Sequence, residues 1–222
     1  MKGCEVIEFS TDAFNAMIFD LDGVVTDTAE LHAAAWKKMF DNYLEQRGSR
    51  ENKFYPPFDD KSDYLDYVDG KPRYAGVADF LSSRGIELPY GDPNDPPSAE
   101  TICGLGNRKN EIFTEKLSEG EVKIYETTIS LIKRLRKRNV KTAIVSSSKN
   151  CRKILEAVGI ADLFDARIDG IDSAEMGLKG KPDPDIFLEA AKKLSVEPKK
   201  AVVVEDAQSG VKAGRLGDFG CV

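Results

Sequence analysis

DLDGVVTDT, from Asp20 to Thr28, follows directly on the apolar run Ala16 Met17 Ile18 Phe19. The run is short and ends at a glycine-containing turn, which reads as a buried strand rather than a helix. If the backbone stays extended through Leu21, side chains two residues apart share a side. Asp20 and Asp22 then face one space while Leu21 packs the other way. Two carboxylates that close repel each other unless a cation lies between them or one takes a proton. Gly23 lets the chain turn away with no Cβ in its path. Alone, such a DxDG is an acidic turn after a strand; the rest of the chain adds to it.

The 222 residues suffice for one large or two small domains with a substantial core. A formal net charge of -6, from 32 Lys and Arg against 38 Asp and Glu, argues against nucleic acid as a partner. The basic run Lys133 to Arg138 closes a helical pattern (Ile129, Ile132, Leu135) and reads as a solvated helix end whose cations complement the helix dipole. Cys4, Cys103, Cys151 and Cys221 lack CxxC spacing, so neither a zinc site nor a disulfide framework is expected. No apolar run approaches membrane-spanning length, and a cytoplasmic protein with no membrane partner is expected. Nothing in the sequence sets an oligomeric state, and a monomer is compatible with it.

Along the chain, helical spacing runs from Thr28 to about Gln46, with Thr28 only a partial cap. A change of texture follows from Phe54 to Pro97, rich in prolines, Asp pairs and tyrosines. Within it a helix is expected at Val77 to Arg84, and beyond it another around Ile112, Phe113 and Leu117, up to a break at Glu119 Gly120. From there the rhythm is regular. Helix Thr128 to Arg138 leads to strand Thr142 to Ser146; helix Lys149 to Val158 leads to strand Asp165 to Asp169; helix Asp185 to Leu194 leads to strand Ala201 to Val204. Alternation of this kind predicts a parallel sheet with right-handed crossovers. The expected architecture is a doubly wound, Rossmann-like α/β core of residues 1–28 and 119–222. A mainly α-helical cap, residues 29–118, is inserted into it. Ligands of such sheets lie beyond the carboxyl ends of the strands.

Three further polar clusters fall at those ends. Ser146 Ser147 Ser148 Lys149 Asn150 opens a helix, where free N–H groups, hydroxyls and a lysine suit an anion; an ordinary cap by Ser148 is the plainer alternative. In Gly180 Lys181 Pro182 Asp183 Pro184 Asp185, a cap at Asp183 with Pro184 in the first turn accounts for everything except Lys181. Glu205 and Asp206 end an apolar strand and are followed by Gly210 and Gly214. Acids there cost stability unless they hold a cation, and oxygen-only ligands with retained waters suit Mg2+. Together the clusters compose a phosphoryl-transfer site with a carboxylate nucleophile, a second carboxyl group, phosphate-holding groups and metal-binding acids.

The ordered set DLDGVVTDT, VSSSKN, GKPDPDIF and VVEDAQSGVKAG resembles the haloacid-dehalogenase-like superfamily, and within it the β-phosphoglucomutase-like branch. The resemblance implies that Asp20 becomes an aspartyl phosphate and that Asp22 is the general acid/base, also offering its backbone carbonyl to Mg2+. It implies that Ser146 and Lys181 hold the transferring phosphate and that Asp206, supported by Glu205, completes a metal site with Asp20 and Asp22. TDTAELHAAAW resembles the hinge and first cap helix, placing His32 and Trp36 by the substrate; VDGKPR maps Arg73 onto a phosphate-binding arginine, and Arg108 Lys109 Asn110 maps Lys109 onto a cap lysine. Ser147 would join the substrate site, where Ser148, Lys149 and Asn150 grip a second, non-reacting phosphate with Arg73. The chain departs from the pattern at Asp69, where the branch has a lysine, and in a longer insert (Phe54 to Tyr67, Glu87 to Ala99). It stops at Gly220 Cys221 Val222, where a strand is expected to begin. The implied substrate is a small phosphorylated sugar. The favoured reading is a β-phosphoglucomutase-like hexose-phosphate mutase that uses Mg2+, with a sugar-phosphate phosphatase as the alternative and a phospho-accepting signalling module as the remote one.

Overall fold

The computed structural model describes residues 13–119 and 122–222, so the expected break at Gly120, Cys4 and the first twelve residues of the expected core lie outside it. Its centre is a four-stranded parallel sheet of order β3-β2-β1-β4, formed by β1 (Ala16–Asp20), β2 (Lys141–Val145), β3 (Ala166–Ile168) and β4 (Ala201–Val204). β1 pairs with β2 from Ala16 opposite Lys141 to Asp20 opposite Val145, and with β4 from Ala16 opposite Ala201. The strand order turns back at β1, so the DxDG turn leaves the sheet at its topological switch point.

Alternate residues of these strands feed two cores. Met17, Phe19, Ile144 and Val202 pack with α4 (Glu126–Lys137) and α5 (Cys151–Ala157). Past the short helix α6 (Gly170–Met176), Ile186, Phe187, Ala190 and Ala191 of α7 (Asp185–Lys193) and Ala213 of α8 (Gln208–Leu216) pack with Ile18, Ala143, Val145 and Val203. Helices on both faces of a parallel sheet give the doubly wound α/β architecture expected from the alternation. Leu21 lies in the first core and Asp20 follows the parity of Ile18, so the two acids of the turn face away from Leu21.

A third cluster draws on residues between Trp36 and Leu105. It joins α1 (Ala29–Glu51), a π-helical turn at Tyr64–Val68, α2 (Arg73–Ser83) and α3 (Ile102–Glu119), with Phe40 touching Phe58, Phe80 and Trp36 at ring-centroid distances of 5.3, 4.0 and 5.3 Å.

Several boundaries differ from the sequence reading. Strand ends shift by a residue, to Lys141–Val145 and Ala166–Ile168. α1 runs through Gly48 to Glu51 because the returning chain closes on that glycine, Lys53 N donating to Gly48 O at 3.0 Å. α3 begins at Ile102, since Gly104 and Gly106 are not breaks but close approaches; a Cβ there would come within 2.4 Å of Ala99 O and 2.7 Å of Tyr74. Asp183 does not cap α7. Pro184 occupies that position and the helix opens at Asp185, whose carboxylate accepts from Lys179 N at 3.0 Å. Nor does Ser148 cap α5: Asn150 precedes its first residue, and Ser148 Oγ accepts from Asn150 N at 3.1 Å in a side-chain turn. Cys221 bridges to Val202 in parallel, and Cys103, Cys151 and Cys221 are free. Among the described residues no helix is long and apolar enough to cross a membrane.

Candidate active site

Asp20 ends the central strand and is buried. Its Oδ2 accepts from Asp22 N at 3.0 Å, and its Oδ1 meets Lys181 Nζ at 2.5 Å. Lys181 is equally buried and reaches Glu205 Oε1 at 2.5 Å, so one ammonium is shared by acids at the ends of β1 and β4. Burial works against that charge, but the two carboxylates outweigh it and push the lysine pKa up. Glu205 is further fixed by Ala207 N, which donates to Oε2 at 2.8 Å.

Asp20, Glu205 and Asp206 each place a carboxylate oxygen within 4.8 Å of the others. Burial, then Glu205 and Asp69, push Asp206 up to about 6. Two glycines make room for the acids. A Cβ at Gly23, whose φ is +84°, would lie 2.0 Å from Asp206 Oδ2, and one at Gly210 would lie 1.6 Å from Glu205 Oε1. An all-oxygen cluster whose one lysine leaves excess negative charge, cradled where a side chain would displace it, fits a hard divalent cation such as Mg2+.

Asp22 faces the opposite network. Ser146 Oγ donates to its Oδ2 at 3.2 Å, and Thr28 Oγ1 donates to its Oδ1, so the hydroxyl expected at a helix cap serves the acid instead. His32 Nε2 stands 3.4 Å from the same Oδ1, and Lys109 Nζ lies 2.7 Å from His32 Nδ1. An ammonium can only donate, so with Lys109 charged the ring proton sits on Nε2, toward Asp22. Burial would raise the Asp22 pKa, but His32, Thr28 and Lys109 hold it at about 2. Burial lowers His32 and, with Arg73, lowers Lys109. Phe113 stacks on His32 at 4.1 Å, and Lys109 lies over Trp36 at 4.7 Å.

A cavity of about 500 Å³ opens beside these acids, with Asp20, Asp22, His32, Lys109 and Lys181 in its wall. Its wall also includes Arg73, Ser148, Lys149 and Asn150. Arg73 Nη2 and Asn150 Nδ2 both donate to Asn110 Oδ1, at 2.7 and 2.9 Å, and Lys149 lies over the Tyr74 ring at 5.6 Å. Trp36 borders the cavity but is chiefly part of the third hydrophobic cluster, only 4% exposed. Ser147 Oγ is engaged with Gly70 O at 2.8 Å, while Ser146, Glu205 and Asp206 stand outside the cavity wall.

Sequence reasoning did not single out Thr28, Tyr64 or Tyr74 as site residues, and it assigned no role to Asn110. Asn110 sits beside Lys109 in the same quoted segment, but its partners lie 37 and 40 residues away.

A family model described as haloacid dehalogenase-like hydrolase matches residues 14 to 218. A protein of Mycobacterium tuberculosis named beta-phosphoglucomutase is 47% identical over 207 residues, 93% of this chain and 79% of that protein. A Bacillus subtilis protein of the same name is 34% identical over 198 residues, 89% of this chain and 77% of that one. The crystal structure of a beta-phosphoglucomutase from Clostridium difficile superposes with a TM-score of 0.69 at 28% identity, covering 94% of this chain and 83% of the other. The chain is an enzyme acting on phosphate groups and belongs to the haloacid dehalogenase-like hydrolase family.

Proposed function

We propose that this enzyme isomerises a hexose phosphate, in the manner its relatives' name describes, through a phosphoryl group carried on Asp20. The observation that carries the reading is a second polar group in the cavity wall, separate from the carboxylates. Arg73 and Asn150 converge on Asn110 and line the cavity together with Lys149. A phosphatase has to hold only the phosphate it removes. A mutase must also hold the far end of a bisphosphate and accept it back reversed, and a guanidinium flanked by amides suits that second phosphate.

In the first half-reaction a hydroxyl of the hexose phosphate gives its proton to the ionised Asp22 and attacks the aspartyl phosphate, so that the bond from phosphorus to Asp20 breaks and a bisphosphate forms. In the second, with the bisphosphate reversed, the freed Asp20 carboxylate bonds to the other phosphorus while the bond from that phosphorus to its sugar oxygen breaks, and that oxygen takes the proton from Asp22, which restores the aspartyl phosphate. His32, backed by Lys109, holds Asp22 in orientation for both transfers. Lys181 and Ser146 attend the transferring phosphate. Asp20 and Asp206, with Glu205 behind them and the Asp22 carbonyl, would hold Mg2+, which when bound offsets the charge of carboxylates and phosphate. Residues 29–118, as a cap, would close over the site and keep water from the aspartyl phosphate.

The test supplies β-glucose 1-phosphate, Mg2+ and a catalytic trace of the 1,6-bisphosphate. Formation of glucose 6-phosphate with little free phosphate supports the mutase. Stoichiometric free phosphate without glucose 6-phosphate makes the enzyme a sugar-phosphate phosphatase, which the same core residues would serve.

A further inference from the structure

We propose that Asp69 selects the sugar, its carboxylate accepting a hydrogen bond from a ligand hydroxyl at the reacting end of the cavity. The proposal rests on the sugar-phosphate reading above and adds to it a residue for which neither the motif set nor the mechanism has a use.

Local geometry aims this side chain. In the π-helical turn Asp69 N donates to Tyr64 O at 2.9 Å, the bond spanning five residues rather than four. The wider turn sets the Tyr64 phenol near the Asp69 carboxylate, and burial followed by that charge pushes the phenol pKa up. The backbone is clamped from the catalytic side of the cavity. Ser209 Oγ donates to Asp69 O at 3.0 Å and Ser147 Oγ to Gly70 O at 2.8 Å. Gly70 has φ +66°, and a Cβ there would lie 2.4 Å from Ser209 Oγ and 2.9 Å from Ala207 Cβ. A loop fixed at both carbonyls has little freedom to withdraw its side chain.

Charge then defines what Asp69 can hold. It lies within electrostatic reach of Glu205, Lys181 and Asp22 and borders the cavity. It is not in the three-carboxylate cluster, and Lys181 is already shared by Asp20 and Glu205. Apart from the nearby Tyr64 phenol, no side chain among the described residues pairs with its carboxylate, and the residue borders the cavity, which leaves acceptor capacity for a ligand. A carboxylate repels a phosphate oxygen and cannot donate to a ring oxygen, so the group it takes must itself donate. At the reacting end of a sugar phosphate that group is a hydroxyl. A lysine at this position donates; Asp69 inverts the requirement.

The experiment measures kcat and KM for a hexose phosphate and its 2-, 3- and 4-deoxy analogues, using the unsubstituted enzyme, Asp69→Asn, Asp69→Ala and Tyr64→Phe. Sites built to bind a hydroxyl reject the analogue lacking it strongly, so one deoxy analogue should lose about 100-fold or more in kcat/KM with the parent enzyme. In Asp69→Ala that penalty should shrink to within about 3-fold, chiefly through KM, with Tyr64→Phe between the two. Asp69→Asn, nearly isosteric, keeps the test available if the alanine variant does not fold, and should also reduce the penalty. Equal deoxy penalties in parent and Asp69 variants would overturn the proposal while leaving the mutase reading intact. So would loss of Mg2+ affinity by Asp69→Asn in calorimetric titration, which would make Asp69 a metal ligand, or a preference for an amino-sugar phosphate over its hydroxyl counterpart. Failure of the parent enzyme to turn over any hexose phosphate would remove both readings.

Discussion

At Asp20 two requirements meet: a nucleophile must be ionised, and a buried ionised group must be paired. Lys181 supplies the pairing from 161 residues away, and Glu205 keeps the lysine charged. Asp20→Asn leaves the Lys181 to Glu205 pair in place, so the fold should survive while turnover disappears. Residual activity within about tenfold of the parent, only ~1.4 kcal/mol of barrier, would remove Asp20 as the phosphoryl carrier. Asp22 is held by hydroxyls and His32 instead, and Asp22→Asn should slow formation and breakdown of the phospho-enzyme by about 10² to 10⁴. Rapid-quench measurement of both half-reactions checks this, and Mg2+ affinity should persist. Asp206 makes one contribution to stability depend on pH. Its folded-state pKa, about 6, is raised above the usual value near 4, so its contribution to stability is fullest below pH 4 and is lost as pH rises to 6. Without cation, the thermal midpoint of the parent relative to Asp206→Asn should fall across that window, and Mg2+ should restore more of it at pH 7 than at pH 5. A relative midpoint that rises with pH would contradict the assignment. The acids were legible in the sequence because each ends an apolar strand. Asn110 and Tyr64 were not, because their meaning lies in tertiary partners and in a π-turn that no periodicity announces.

Among the elements, the sheet was legible and the insert much less so. Strands in a parallel sheet read as apolar runs whose length and alternation with helices leave few topologies. Between the start of α1 and the end of α3 the same glycine signal means different things. Gly48, Gly104 and Gly106 lie inside helices, admitting close neighbours, whereas Gly70 terminates a π-turn at positive φ. Gly70→Ala therefore tests the loop between the π-turn and α2. The left-handed conformation costs an alanine about 1 to 2 kcal/mol, and the new methyl would press on Ser209 and Ala207. The expected result is a drop in thermal midpoint of roughly 2 to 8 °C. A larger proportional fall in kcat/KM for the hexose phosphate should accompany it, because the loop can no longer seat beside the reacting acids. Full activity with the stability loss alone would show that the loop's docking is dispensable.

For the molecule as a whole, the way the helical insert meets the sheet domain shapes the last expectation. The bases of α1 and α3 join the first core through Leu31, Ala35, Ile112 and Phe113, an apolar seam close to where the chain passes between the two. Around the cavity the contacts are instead polar and few: Ser209 to Asp69, Ser147 to Gly70, Asn150 to Asn110, and His32 with Asp22. An apolar pivot with a polar rim is suited to opening at the rim. Each rim hydrogen bond contributes about 1 kcal/mol net and can be exchanged for water at little cost. A ligand touching both sides then adds what the rim lacks, and differential binding of that kind is what shifts an equilibrium toward closure. Small-angle scattering should accordingly show a smaller radius of gyration with Mg2+ and a phosphate analogue than without them. Ser147→Ala combined with Ser209→Ala should need more analogue to reach the same compaction, while its ligand-free profile differs little from the parent's. Identical profiles with and without the analogue would make the cap a fixed wall, and exclusion of water would then have to come from the cavity alone.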